Sequence, residues 1–374
     1  MTIRERRRHS HEGFTINASR VPMRGGLRTY TQSVIECLAE RYDGVEAVLP
    51  TEMPTPPGIT RFEIPTWLSS PFSNSKFRPI LWLAYCWLSF PAVRSRRVLT
   101  TTHQALPFHR RQILTVHDLR PYFEPDTWMQ HFYFRNILPR ALRRSDGIIT
   151  VSETSKQQIV SIFGIHEEKI YVVPNSVTPP LPCHEPAVLQ EGPFLLMVGA
   201  TWKHKNAIEV LDRNALWKSR FRLVIVAGEG PYCNLLRRRS VELGLSDRTR
   251  IITDCDERDL RNLYTRCSAL IYPSSMEGFG IPPLEAMSYG KLTIVSDIPV
   301  FHELFEDAPY FVRLGDPASW GSAFAQLLEP DSESNRRHLE LGLAIAAKFT
   351  RQRMCSALES ALQGIWGLRA DTKR

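Results

Sequence analysis

Two carboxylates, Glu277 and Glu285, flank the glycine and proline cluster of SSMEGFGIPPLEAMSYG, residues 274–290. A helix is expected to start at Pro282 or Pro283, because proline is tolerated in a first turn, where its missing N–H costs nothing. That places Glu277 on a loop and Glu285 in the first turn. Gly278 and Gly280 permit left-handed or open backbone and can bring unpaired N–H groups toward a ligand. A loop of free amides leading into a helix is an anion site. A first-turn carboxylate is also favoured by the helix dipole, by ~0.3–1 kcal/mol, whatever its function. Glu277 has no such structural reason, short of being a solvated loop acid. Since a phosphate would repel it, Glu277 is expected to accept hydrogen bonds from hydroxyls, as on a ribose or a sugar ring.

A second group is TWKHKN, with Lys203, His204 and Lys205 behind FLLMVGA. A lysine there can neutralise a diphosphate, and Asn206 is expected to cap the next helix. Lys203 and His204 can equally be surface residues. AGEGP, residues 227–231, either lets the backbone approach a base or ribose or is a plain turn. In the first half, QILTVHD delivers His117 and Asp118 to a strand end, where the acid could hold the imidazole tautomer. GGLRTY opens a long helix, and its Gly25–Gly26 turn could admit a phosphate or simply pack tightly.

These groups sit where an α/β protein would put them. GFTINAS, VEAVLP, VLTTTH, QILTVHD, DGIITVS and KIYVVPN alternate with helix patterns such as YTQSVIECLAERY and TSKQQIVSIFG, the order of a parallel sheet with crossover helices. The alternation resumes with FLLMVGA, NAIEVLDRNALW, FRLVIVAG, NLLRRRSVELG, RIITD, ERDLRNLYTRC, ALIYPS and LTIVSD, and past Ser332 the pattern is helical to Gly364. The division expected is a basic tail at 1–12, a Rossmann-like domain at 13–175, a Pro-rich linker at 176–193, a second Rossmann-like domain at 194–348, and a C-terminal helix and tail at 349–374 crossing back to the first domain. Two doubly wound domains would face each other across a cleft, with ligands beyond the carboxyl ends of the strands.

With 374 residues, 43% hydrophobic, the chain has material for two cores, and 47 basic against 39 acidic residues give a formal +8 that favours anionic partners. The seven cysteines are scattered without a CxxC pair, which argues against a disulfide framework or a zinc site and suits a reducing cytoplasm. FRPILWLAYCWLSFPAV, Phe77 to Val93, is shorter than the ~20 residues of a spanning helix. It reads as a buried helix or as a Trp-rich surface dipping into lipid headgroups between Arg78 and Arg94. GxGxxG after the first strand, the Walker motif, GxSxG, HExxH and an acidic DxD pair are all missing. The expected chemistry therefore uses no protein-bound metal and no cofactor.

The stretch SSMEGFGIPPLEAMSYGKLTIVSD resembles the signature of retaining family-4 glycosyltransferases, two-domain GT-B enzymes with an E-x7-E spacing, which Glu277 and Glu285 match. GGLRTY, TVHDL, IITVSETSK, VVPNSV and VGATWKHKN are similar in the same order, from Gly13 to about Phe349. The resemblance implies that Glu285 meets the ribose and Glu277 the transferred sugar. The amides of Gly278, Phe279, Gly280 and Ile281 would meet sugar and diphosphate, Lys205 the leaving diphosphate, His117 the sugar near its reacting carbon, and Gly26 the phosphates. The family often carries Arg directly after the VG glycine; this sequence has Ala200, with His204 or Lys203 as the substitute cation. Relatives often carry Trp where Arg351 stands, a difference that bears on how the tail packs.

The reading that follows is a metal-independent hexosyltransferase. It takes a mannose-like sugar from a nucleotide donor to a lipid-linked or cell-surface glycan, as in lipopolysaccharide or other polysaccharide synthesis, with retention. The expected location is the cytoplasm, peripheral at the inner face of an anionic membrane, with no nucleic-acid partner. Alternatives are a GT-B enzyme that hydrolyses or epimerises its sugar nucleotide, and a non-catalytic sugar-nucleotide binder.

Overall fold

Strands buried on both faces read as near-continuous apolar runs rather than alternating ones, and QILTV and LTIVS, with only a few small or hydrogen-bonding polar residues among them, are buried throughout and lie inside parallel sheets. The computed structural model describes residues 13–22, 25–64, 97–106, 109, 111–178, 180, 192–329 and 332–370. The basic tail, the segment 77–93 and most of the Pro-rich stretch lie outside the described residues. The chain divides into two compact units, Met1–Ser176 with Arg351–Arg374, and Val177–Thr350.

In the first unit, chain order is β1 (Phe14–Asn17), α1 (Gly26–Arg41), β2 (Glu46–Pro50), β3 (Thr60–Ile64), β4 (Arg97–Thr100), β5 (Gln112–Val116), α2 (Arg120–Phe123), α3 (Trp128–Phe132), a π turn (Tyr133–Ile137), α4 (Leu138–Arg144), β6 (Gly147–Thr150), α5 (Glu153–Phe163) and β7 (Ile170–Val172). The described sheet has the order β3-β2-β1-β4-β5-β6-β7, with parallel pairing throughout. The second unit runs β8 (Phe194–Val198), α6 (Ala207–Asp212), β9 (Arg222–Val226), α7 (Pro231–Glu242), β10 (Thr249–Ile252), α8 (Glu257–Arg266), β11 (Ala269–Tyr272), α9 (Ile281–Ser288), β12 (Leu292–Ser296), α10 (Pro299–Phe305), β13 (Tyr310–Val312), α11 (Pro317–Leu327) and α12 (Glu333–Ala346). Its sheet has the order β10-β9-β8-β11-β12-β13, also parallel. Both sheets reverse direction of winding once, between β1 and β4 and between β8 and β11, and the crevice beyond such a reversal is where doubly wound sheets bind ligands.

The last helix, α13 (Arg351–Trp366), belongs to the first unit. The Trp366 indole N–H donates to Asp146 (2.6 Å), Arg351 pairs with Glu40 (2.8 Å) and Arg41 with Glu359. Arg351, in place of the family's tryptophan, is thus a surface contact to α1. Cys37 and Cys355 are joined as a disulfide with Cα atoms 5.7 Å apart, which corrects the expectation from scattered cysteines. A pairing across 318 positions exists only because α13 returns onto α1.

Other differences are local. The pattern NAIEVLDRNALW is not one helix: α6 stops at Asp212, the Asn214 side-chain amide takes the Leu211 carbonyl, and a 3-10 turn follows. The helical pattern past Ser332 divides into α12 and α13 around 347–350. The helices between β5 and β6 and the edge strand β3, TRFEI, carry no clean period. β3 is mostly exposed and charged, as an edge that avoids further pairing should be.

Candidate active site

Three loops meet at the carboxyl end of the second sheet, beside its winding reversal. The loop after β8 carries Lys203, His204 and Lys205, and side-chain hydrogen bonds tie it to the loop after β11. The Asn206 amide donates to the carbonyls of Pro273 (3.0 Å) and His204 (3.2 Å); the Ser275 N–H (2.8 Å) and Ser274 hydroxyl (3.2 Å) donate to the His204 carbonyl. Asn206 therefore does not cap α6. It sits in left-handed backbone with φ of 50° and joins the two loops instead. Gly228, after β9, donates its N–H to the Thr201 hydroxyl at 2.8 Å.

This bonding brings Lys205 onto Glu277, 72 positions away, in an ion pair with both side chains 14% exposed. The Lys205 ammonium also donates to the Tyr272 hydroxyl at 2.6 Å. Burial alone would raise the Glu277 carboxyl. The charge and hydrogen bond of Lys205, with His204 and a Ser274 hydrogen bond, together outweigh it and hold the carboxyl below its ordinary range.

Helix α9 begins at Ile281, one residue before the expected prolines, so Glu285 falls beyond the first turn, which holds no acid. The dipole explanation for Glu285 loses force accordingly. Its carboxylate accepts from the Tyr264 hydroxyl at 2.7 Å. Burial pushes it up to about 7 despite that bond, with repulsion from Glu257 adding to the rise. Pro282 and Pro283 carry no N–H, so the anion-binding amides available are those of the 278–281 stretch.

Gly280 is the glycine of the pair that uses left-handed backbone (φ 105°); Gly278 does not. A Cβ at Gly280 would stand 2.7 Å from the Phe301 ring. Gly280→Ala should therefore lower stability by about 2–4 kcal/mol, combining strained backbone with overpacking, as read from chemical denaturation midpoints. The Phe279 ring is buried against Phe349 at 5.4 Å, so only its backbone is available to a ligand.

In the first unit, His117 follows β5 and its Nε2 donates to the Thr101 carbonyl at 3.0 Å. A carbonyl can only accept, so Thr101 rather than Asp118 sets the tautomer; Asp118 accepts from the Arg120 N–H at 2.9 Å. Burial pushes His117 down to about 4, partly offset by that carbonyl, so the ring is neutral near pH 7. Tyr30, on the helix that Gly26 begins, meets it edge-on at 4.6 Å. Gly25 precedes that helix with φ of 98°, and Gly26 is its first residue. His103, after β4, is lowered to about 3 by burial and by repulsion from His117 and Arg20. Three strand ends of this sheet thus converge on polar and basic groups.

Residues 24–179 match the model of Glycosyltransferase Family 4, and residues 185–340 that of Glycosyl transferases group 1. The O-antigen chain mannosyltransferase RfbU of Salmonella typhimurium is 33% identical over 85% of this chain and 92% of its own length. The chain belongs to the group 1, family 4 glycosyltransferases. Among solved structures, sucrose-phosphate synthase from Thermosynechococcus elongatus superposes with a TM-score of 0.77 at 17% identity, covering 96% of this chain and all of that one (100%). HepE of Anabaena, solved with UDP and glucose, gives 0.72 at 17% identity over 94% and 99%. These place the glycosyltransferase in the GT-B fold.

Within this glycosyltransferase, Ala200 is buried at 1% exposure and can contribute no charge. Of the two substitute cations, Lys203 is exposed to solvent while His204 acts electrostatically on Glu277. Sequence reasoning passed over Tyr272, Tyr264, His103 and Arg20. Three of them were within reach of the strand-end rule: ALIY closes on Tyr272, VLTTTH on His103 and NASR on Arg20. Tyr264, in the middle of α8, had no such signal.

Proposed function

We propose that this glycosyltransferase moves a mannose-like hexose, with retention and without a metal, from a nucleotide-sugar donor to a lipid-linked or cell-surface glycan, in the cytoplasm at the inner membrane face. The supporting observation is the Lys205–Glu277 pair at the winding reversal of the second sheet, with Glu285 on the helix that follows. The mannosyltransferase relative supports the choice of sugar. Glu277 neutralises Lys205. An arriving diphosphate takes over the ammonium, and Glu277 is left to accept from hydroxyls of the sugar, while Glu285 accepts from the ribose.

As the bond from C1 to the diphosphate stretches, the sugar gains positive and the leaving group negative charge. Lys205 and the amides of Gly278 to Ile281 stabilise the second, with His204 as the added cation. His117, neutral, is assigned to the sugar as a hydrogen-bonding group rather than a charge, and the backbone amides at Gly26 to the phosphates. Lys203, exposed, acts at most on the outer phosphate. With no carboxylate assigned to attack C1, the acceptor enters from the leaving-group side and gives its proton to the departing phosphate.

A panel of nucleotide sugars tests the donor claim through thermal unfolding, since a ligand that binds only the folded form raises its melting temperature. One donor is expected to raise it, and Glu285→Ala to abolish the shift. Product NMR with that donor and a glycan acceptor should show the donor's anomeric configuration. Donor consumption with no acceptor present would favour the hydrolase or epimerase reading instead.

A further inference from the structure

Large apolar side chains left exposed in the first unit concentrate between α2 and α4: Trp128 (76%), Phe132 (50%) and Phe123 (48%), with Met129 and Ile137. Beside them lies a cavity of about 370 Å³ lined by residues that include Tyr122, Arg135, Asn136, Arg140, Arg143 and Phe163. The two features are continuous. Tyr122 lines the cavity and packs edge-on against Phe123 at 5.2 Å, and the Asn136 amide donates to the Phe132 carbonyl at 3.1 Å. Trp128, Phe132, Asn136 and Arg140 follow at four-residue intervals along α3, the π turn and α4, close to the spacing of one helix face.

No carboxylate lines the cavity. Arg135 stacks over the Tyr122 ring at 4.7 Å, Arg143 donates to the Phe163 carbonyl at 3.0 Å, and Arg140 to the Asn136 carbonyl. Among the described residues none of the three pairs with an acid; the nearby Asp126 is taken by Arg120 at 2.6 Å. Three guanidinium groups that pair with no acid among the described residues suit a phosphate, which they can bind bidentately. Exposed tryptophan and phenylalanine beside arginine is the composition of surfaces that lie in the headgroup region.

We propose that this face docks on a bilayer containing anionic phospholipid, a headgroup phosphate entering the arginine cavity while Phe123, Trp128 and Phe132 enter the interface. This deepens the proposed function by giving the enzyme a surface with which to reach a lipid-linked acceptor, and it is independent of donor binding in the second unit.

The test sediments the full chain with vesicles of phosphatidylcholine alone, or mixed equally with phosphatidylglycerol. The wild type should partition to the anionic vesicles and be released by salt. A variant combining Arg135→Glu, Arg140→Glu and Arg143→Glu should lose roughly a hundredfold in partition, at about fivefold per basic residue. Trp128→Ser with Phe132→Ser should lose at least about tenfold. A retained melting temperature and retained nucleotide-sugar shift show that each variant is folded and that the donor reading stands. Absence of wild-type binding, equal binding to both vesicle types, unchanged partition of the arginine variant, or uptake of free inorganic phosphate alone overturns the proposal. Loss of the donor shift in the wild type would sink the donor reading and leave this one intact.

Discussion

Lys205→Met is expected to lower kcat by about 10²–10³-fold, the scale of removing one preorganised donor from a developing anion, ~3 kcal/mol of barrier. Methionine keeps much of the stem and removes the charge. The structure adds a second consequence, because Lys205 is also the cation that holds Glu277 ionised in a site where both side chains are 14% exposed. With the lysine gone, burial acts on Glu277 unopposed by its main partner, and the carboxyl should rise. Stability should fall by about 2 kcal/mol, less than the ~3–5 kcal/mol of breaking a fully buried pair, since water reaches this one. The double variant Lys205→Met with Glu277→Gln separates the two effects. It should recover most of the melting temperature, having no carboxylate to strand, and none of the rate. Recovery of rate along with stability would show that Lys205 serves the fold and not the leaving group.

Glu285→Gln is expected to flatten the pH dependence of stability. The Glu285 carboxyl is raised to about 7 in the folded protein, against ~4.3 in an unfolded chain. Between these values the folded state holds a proton that the unfolded state has lost. Stability therefore falls as pH rises from ~4.3 to about 7 and is level above, a loss on the order of 3 kcal/mol if the whole shift is expressed. Removing the ionisable group should remove that slope, measured as denaturation free energy at pH 5 and pH 8. Donor binding reports the same group. Ribose hydroxyls donate to the ionised carboxylate and favour it, so binding below about pH 7 should release a proton and tighten as pH rises. Calorimetry in buffers of different ionisation enthalpy would count that proton, and Glu285→Gln should abolish it. A pH-independent donor affinity in the wild type would remove Glu285 from the ribose.

The two-domain α/β architecture was legible because strands buried on both faces are near-continuous apolar runs, and helices between them keep a 3.6-residue period. Glu277, Lys205 and His117 could be singled out as candidates because each follows a strand, and Glu285 because it lies on the helix just after such a loop. What lacked a period was missed: the edge strand β3, the broken helix after β5 and the three-residue β13. The capping role for Asn206 failed for a related reason, since a side chain beside a helix start has more than one place to donate, and here the carbonyl of Pro273 was within reach.

By itself, then, the sequence determined the two sheets, the loops at their carboxyl ends and the types of residue those loops carry, since these depend on local pattern. Only the tertiary structure decided that Lys205 and Glu277 neutralise each other, that Tyr264 holds Glu285, that Thr101 sets the His117 tautomer and that Cys37 meets Cys355. Each of these joins residues far apart in sequence or on different elements. Such contacts are set by strand order and by the path of the last helix, and no spacing along the chain encodes them.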